Sequence, residues 1–439
     1  MNTEKFAVKA ALLFAALILV MPSSGSVAYA QAPPSTGFGL GAIQVPGADK
    51  PKTGKGLSLG RSIFHAGLSV EAGWDSNVFY SESGATQSSA YMRLLPQLTL
   101  GSRPVAEGKR QSFVYNLALG VDYVGYLQSL PVGANAHHVG ASFGADLKFN
   151  PQGLVSFALI EQFVRTNEPR VGLDGSADRD YNQVGFDLNI NKGLLSFLIG
   201  YRFILDYFED SEYSFGNRMI HQARFKATWR FFPQTSFWFL AETGFVSYFD
   251  EYAATGNSDS VPLKLWLGAT GRLTHWLTAD IALGYGYATY LDSNPKGYHN
   301  FVANAGVGIQ MGPAAKLSLG YRRDFQDSLV GDYFKSDSAY ARLSVAIAQR
   351  LVLQAMFAWT RADYQRYITN APDVAQRTDN YLMGSVGADY YFLSWLSAGV
   401  GYNLQANIAN TNAVDPFTGA AITPDFVKHR VYGRVSAYY

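Results

Sequence analysis

Arg224, Lys226 and Arg230 fall at even positions of the segment 219–232, and Lys428, Arg430 and Arg434 do the same in 426–439. In an extended chain residues two apart lie on one face, so each set is a row of neighbouring cations. Like charges at that spacing repel unless water or a counter-charge separates them, which predicts a wet wall that concentrates anions. Other chemistry is sparse. The chain has no Cys, which excludes disulfides, thiolate catalysis and Cys-based zinc sites. It contains no H-E-x-x-H, G-x-S-x-G or P-loop, and no G-x-G-x-x-G opening a helix. His137 and His138 read as a solvated pair, and Glu209, Asp210 and Glu212 as a solvated loop tip. Asp174, Asp178 and Asp180 could hold calcium, but their spacing matches no EF-hand. No catalytic residue, metal or cofactor is expected.

The elements that carry these rows are strands. Leu195, Phe197, Ile199, Tyr201, Phe203, Leu205 and Tyr207 alternate with Ser196, Gly200, Arg202 and Asp206. A helix would scatter such a set around its circumference; a strand puts it on one face. Eighteen segments share the pattern: 63–74, 90–101, 111–125, 137–149, 154–165, 181–190, 194–208, 219–232, 236–249, 261–273, 277–290, 301–311, 316–325, 338–348, 351–361, 380–391, 395–405 and 426–439. Most run 10 to 15 residues, enough for a tilted strand to cross a hydrocarbon layer. The connectors alternate long and short, with 326–337 among the long ones. That asymmetry predicts a transmembrane antiparallel β-barrel of about 18 strands, with long extracellular loops, short periplasmic turns and both termini periplasmic.

Composition agrees. Aromatics are 15% of the chain and Gly numbers 43, which suits many strands and turns. With 35 basic against 34 acidic residues there is no electrostatic basis for binding nucleic acid. The amino terminus has Lys5 and Lys9, an apolar run from Ala10 to Val20, and Ala28-Tyr29-Ala30 before Gln31. These are the parts of a cleaved signal peptide over residues 1–30. Residues 31–60, rich in Pro, Gly, Ala and Lys, read as a flexible periplasmic leader, leaving 61–439 for the barrel. Trp74, Tyr123, Tyr207, Phe249, Tyr287 and Trp359 end outward strands, and Phe149, Phe231, Phe392 and Tyr439 end inward ones, as two interfacial girdles.

In lipid every backbone group must be paired, so the sheet must close, with its apolar face outward. The polar face then supplies the lumen. Its basic residues are Arg93, Lys148, Arg202, Arg224, Lys226, Arg230, Lys264, Arg272, Lys316, Arg322, Arg342, Lys428, Arg430 and Arg434. Its acidic residues are Glu71, Asp122, Asp146, Asp187, Asp206, Glu242, Asp280, Asp324 and Asp389. This excess of cations predicts a weakly cationic lumen. Trp238, Trp266, Tyr340, Tyr391 and Tyr432 also point inward, either to stack on sugars or to pack beneath an inward-folded loop.

Gly73-Trp74-Asp75-Ser76-Asn77-Val78-Phe79, followed by Arg93, Pro96, Leu98 and Leu100, resembles a motif of the outer-membrane β-barrel porins encoded with exopolysaccharide genes in myxobacteria-type clusters. The resemblance covers about 40 residues. It implies passive export of a secreted polysaccharide through a water-filled lumen, with a periplasmic export protein as partner. The alternatives are a general or solute-specific diffusion porin, and a plugged structural or receptor barrel acting through its loops. An enzyme is not expected. Outer-membrane lipid, the barrel-assembly machinery and a polymer or small solute in the lumen complete the expected partners.

Overall fold

The computed structural model describes residues 55–82, 84–103, 110–127, 137–166, 178–249, 258–291, 297–329, 332–365, 377–410, 413–414, 421–422 and 425–439. The signal peptide and residues 31–54 of the leader lie outside the described residues, as do Asp174 and most of the long connectors. Eighteen strands of 12 to 16 residues form the wall. The first six are β1 (Ser62–Asp75), β2 (Ser89–Ser102), β3 (Phe113–Tyr126), β4 (His138–Phe149), β5 (Val155–Thr166) and β6 (Arg179–Lys192). The next six are β7 (Leu195–Phe208), β8 (Arg218–Phe232), β9 (Thr235–Tyr248), β10 (Ser260–Arg272), β11 (Leu277–Tyr290) and β12 (Tyr298–Met311). The last six are β13 (Ala315–Asp327), β14 (Tyr333–Ile347), β15 (Leu351–Gln365), β16 (Thr378–Leu393), β17 (Leu396–Ala409) and β18 (Phe426–Tyr438).

Every strand pairs antiparallel with its sequence neighbours, and β1 pairs with β18 from Gly67↔Tyr438 to Asp75↔Arg430. The protein is therefore a closed 18-strand antiparallel β-barrel. Closure follows from the alternation: each strand has one face for each solvent, and only a closed sheet leaves no unpaired edge. Leu283, Leu267 and Val400 stand 65%, 69% and 65% exposed on the outer face, where a water-soluble sheet would hide them. The side chains between them point inward and carry charge. Tight turns join strands at one end; Gly193 at φ +61° and Gly312 at φ +69° occupy left-handed positions in two of them.

Three expectations change. Leu57–Leu59, expected as leader, forms a short strand that folds back on β1 through a turn with Gly60 at φ +60°. The long connector 326–337 shrinks to 328–332, because β13 and β14 run on past the expected membrane edge. The connector 103–112 is correspondingly longer than the turns on its own side, so the alternation of long and short is not strict.

Candidate functional site: the inner wall and the mouth

Most of the expected lumenal charges share the inner face, and many of the cations there are paired with carboxylates: all three of the run Lys428, Arg430 and Arg434, but only Arg224 of the run Arg224, Lys226 and Arg230. Arg224 donates to Asp187 at 2.8 Å, and Arg202 reaches the same carboxylate at 2.9 Å. Arg434 bonds Asp389 at 2.9 Å, Lys148 bonds Asp146 at 3.0 Å, and Arg93 grips both oxygens of Asp122. Lys428 and Arg430 converge on Asp75 at 3.0 and 2.8 Å. Lys264 and Arg322 converge on Asp324, and Arg179 and Arg218 on Asp206. Glu242 lies directly opposite Arg224 on one side and Lys264 on the other. Carboxylates thus neutralise part of the expected cationic wall. In a low-dielectric interior a carboxylate between two guanidinium groups removes the repulsion that i, i+2 spacing would cause.

The remaining sites differ. Lys226, Arg230, Lys316 and Arg342 form no ion pair among the described residues; Lys226 instead sits 4.6 Å from the Trp238 ring centroid, and Arg342 lies 5.2 Å from that of Tyr340. Arg272 bonds turn carbonyls at Thr274 and His275, so it belongs to the rim. Glu71 accepts from the Tyr91 hydroxyl, and Asp280 from Thr270 and Asn304. A cavity of about 220 Å³ opens on the inner wall between β13 and β2, lined by Lys316, Arg342, Gln354, Ser385, Arg434 and Glu71 among others.

Sequence reading left Asp75, named only in the Gly73–Phe79 element, and Arg179, Arg218, Asp379 and Arg377 out of the inner-face charge set. The first four lie one or two residues beyond the expected strand ends, so drawing the alternation one step further would have found them. Arg377 precedes β16 and holds Asp379 at 2.8 Å, fully buried.

These groups gather at the end where the long connectors lie, and there the lumen is crossed. β13 pairs with β12 only from Ala315↔Met311 to Arg323↔Ala303. Beyond that, Asp324–Leu329 parts from β12 and turns into the mouth, with Asp324–Asp327 still paired to Tyr333–Ser336 of β14. Phe325 stacks on Tyr298 with ring centroids 4.0 Å apart, and Tyr333 stacks on Tyr290 at 5.8 Å. Trp266 is buried in the same cluster with Trp238 against it, as expected for aromatics beneath an inward-folded segment. On the opposite side Leu329 packs with Phe208, Val246, Tyr248, Phe334, Tyr364 and Tyr381. β7 and β9 are far from β15 and β16 in the barrel, so this cluster bridges the lumen. Polar contacts tie it down. Ser260 and Tyr290 each donate to Asp327 at 3.0 Å, and the Tyr248 hydroxyl donates to Ser328 O at 3.0 Å while accepting from Arg218.

At the rim, Asp178 faces the His138 ring at 3.4 Å and Arg165 at 3.6 Å; the His138 contact holds its carboxyl below the usual carboxylate range. No group of ligands suited to a metal ion occurs among the described residues.

No family model matches the chain, and no curated protein matches it. Among solved structures, OccK1 (OpdK) of Pseudomonas aeruginosa is similar at 11% identity and TM-score 0.46, covering 86% of this chain and 99% of its own. OccAB3 of Acinetobacter baumannii is similar at 9% identity and TM-score 0.46, covering 86% and 99%. OpdQ of Pseudomonas aeruginosa is similar at 11% identity and TM-score 0.44, covering 85% and 99%.

Proposed function

We propose that the chain is an outer-membrane channel for small hydrophilic solutes, with a mild preference for anions. The observation that carries this is the closed barrel itself: an apolar outer band around an inner wall of ionisable and hydroxylated side chains. Such a wall has no use in a barrel that serves only as an anchor, and 18 strands enclose more width than their own side chains fill. A small solute fits better than a polysaccharide, because a polymer needs one continuous open cross-section and here the mouth is bridged by packed side chains. The element Gly73–Phe79, which suggested polymer export, has a structural task instead: Asp75 holds β18, and Asn77 bonds Ser81 and Val427 O.

The anion preference rests on Lys226, Arg230, Lys316 and Arg342, the cations without ion pairs. Low-dielectric walls focus the field of such groups. The purified barrel in a planar bilayer under a salt gradient should show an anion-favouring reversal potential. Exchanging those four residues for Gln should shift it towards cations, most clearly at low salt; Arg224→Gln and Arg434→Gln, which only unbalance ion pairs, should shift it less. A reversal potential that ignores the fourfold change would take these residues off the path. Swelling of liposomes in a hexose but not in dextran is the expected size response, and swelling in dextran would restore the polymer reading.

In this reading the long connectors lie outside the cell and both termini in the periplasm. An epitope at Gly256, which lies outside the described residues, should be labelled on intact cells. One at Gln152 should need a permeabilised outer membrane, and the reverse pattern would invert the barrel.

A further inference from the structure

We propose that the segment Asp324–Leu329 is a gate that swings between the lumen, where it stands, and the wall, where it would complete the β12–β13 ladder. The proposal rests on the channel reading above. Its starting point is the seam. β12 is paired with β13 up to Ala303↔Arg323, and its remaining residues Tyr298–Val302 have no strand partner on that side. Unpaired backbone groups near hydrocarbon are costly, so an open seam must be satisfied otherwise. Several groups at its start are. The Phe301 N–H donates to Asn300 Oδ1 at 2.8 Å, and the Phe325 N–H to Asp324 Oδ1 at 2.9 Å. Lys264 Nζ reaches from β10 to Phe325 O at 3.0 Å and to Asp324 Oδ1 at 2.7 Å. Side chains thus cap both lips of the seam.

The residue pattern of β13 fits the other state. Leu317, Leu319 and Tyr321 occupy the outward parity of β13, and Phe325 continues it. Yet Phe325 is 1% exposed, inside the mouth. Continuing the observed register would set Val302 opposite Asp324 and Phe301 opposite Phe325. Phe325 would then stand beside the half-exposed Phe301 on the outer face, at the level where aromatics prefer the interface. The same move would draw Leu329 out of the cluster that bridges the lumen. In both states Asp324–Asp327 keeps its ladder with Tyr333–Ser336 of β14, which moves with it; the tucked state adds side-chain caps and aromatic stacking, whereas the zipped state would add backbone pairing to β12 and the lipid interface. Two mutually exclusive packings of one segment are the requirement for a switch, and Lys264 is the latch of the closed one.

Because the chain has no Cys, paired cysteines report the two states directly. Phe325→Cys with Tyr298→Cys, whose native rings stack at 4.0 Å, should be joined by a short reducible bis-methanethiosulfonate cross-linker in the closed state, and Phe325→Cys with Phe301→Cys should oxidise directly only in the zipped one, since a disulfide needs Cα atoms about 4.4–6.8 Å apart. In the full-length barrel in a planar bilayer, the first staple should abolish most of the conductance of the single Phe325→Cys reference, reversibly on reduction. The second should hold conductance at its highest level. Lys264→Gln should raise the open fraction on the order of tenfold, the loss expected for one charge-assisted hydrogen bond. A Tyr298→Cys, Phe325→Cys staple that leaves conductance unchanged would overturn the gate. So would failure of the Phe301→Cys, Phe325→Cys pair to oxidise while the other forms. If both staples form and no variant conducts, the channel reading fails, and the gate with it.

Discussion

Two seams of the barrel behave in opposite ways. β1 and β18 lie some 355 residues apart in sequence, yet they pair to their last residues and beyond. The Ser76 N–H donates to His429 O at 2.9 Å, and Asn77 Nδ2 to Val427 O at 3.2 Å. β12 and β13 are joined by a three-residue turn, 312–314, yet they part after nine pairs. Sequence proximity therefore does not decide where a ladder ends. The location of the counter-charge does. Asp75 on β1 is held by Lys428 and Arg430 of its direct partner, which pulls the two strand ends together. Asp324 on β13 is held by Lys264 of β10, three strands away, which draws the strand end inward from β12.

Removing the charge at the closed seam should have the largest effect. Asp75→Ala leaves Lys428, buried in the wall, without its carboxylate, at a cost of about 3–5 kcal/mol. It should lower the melting temperature in detergent and abolish the heat-sensitive compact band on gels. A variant that melts with the wild type would show that the ladder alone holds this seam. Next comes the wall beside the open seam. Leu283→Arg puts a charge on the outer face of β11 and should cost roughly 2–4 kcal/mol at the bilayer midplane. Thr278→Arg, on the inner face near the turn, should cost much less, and equal assembly defects would reverse the face assignment. Asn300→Ala strips the cap from the Phe301 N–H at the open seam, worth about 1–3 kcal/mol. Faster hydrogen exchange at the Phe301 amide is expected, and an unchanged rate would mean that the cap contributes nothing.

The smallest effect is expected at the rim. Asp178→Asn removes a part-exposed carboxylate from His138 and Arg165, worth about 0.2–1 kcal/mol. The folded pKa of Asp178 is lowered, so its contribution is full above about pH 4, the unfolded value, and is lost as pH falls through the folded one. The melting difference between wild type and Asp178→Asn should accordingly shrink in acid. A difference that grows in acid would contradict the assignment.

Much of the barrel was legible beforehand. Period-2 alternation locates all eighteen strands, because a strand with a different solvent on each face must write both into its sequence. It errs at strand ends, where the two solvents no longer differ. That is why Asp75, Arg179, Arg218 and Asp379 were left out of the inner-face charge set, and why Phe325 reads as lipid-facing although it sits in the mouth. The inner-face charges were legible as a set, but their pairing was not. Arg202 and Arg224 lie on different strands, β7 and β8, and only the register brings both to Asp187.

The sequence by itself determined the number of strands, the face each side chain takes and the closure of the sheet, since each of these follows from the local contrast between hydrocarbon and water. Only the tertiary structure decided which charges neutralise one another, where the β12–β13 ladder stops and what crosses the mouth. Those outcomes depend on contacts between strands that no local pattern relates, and Lys264 of β10 meeting Asp324 of β13 is such a contact.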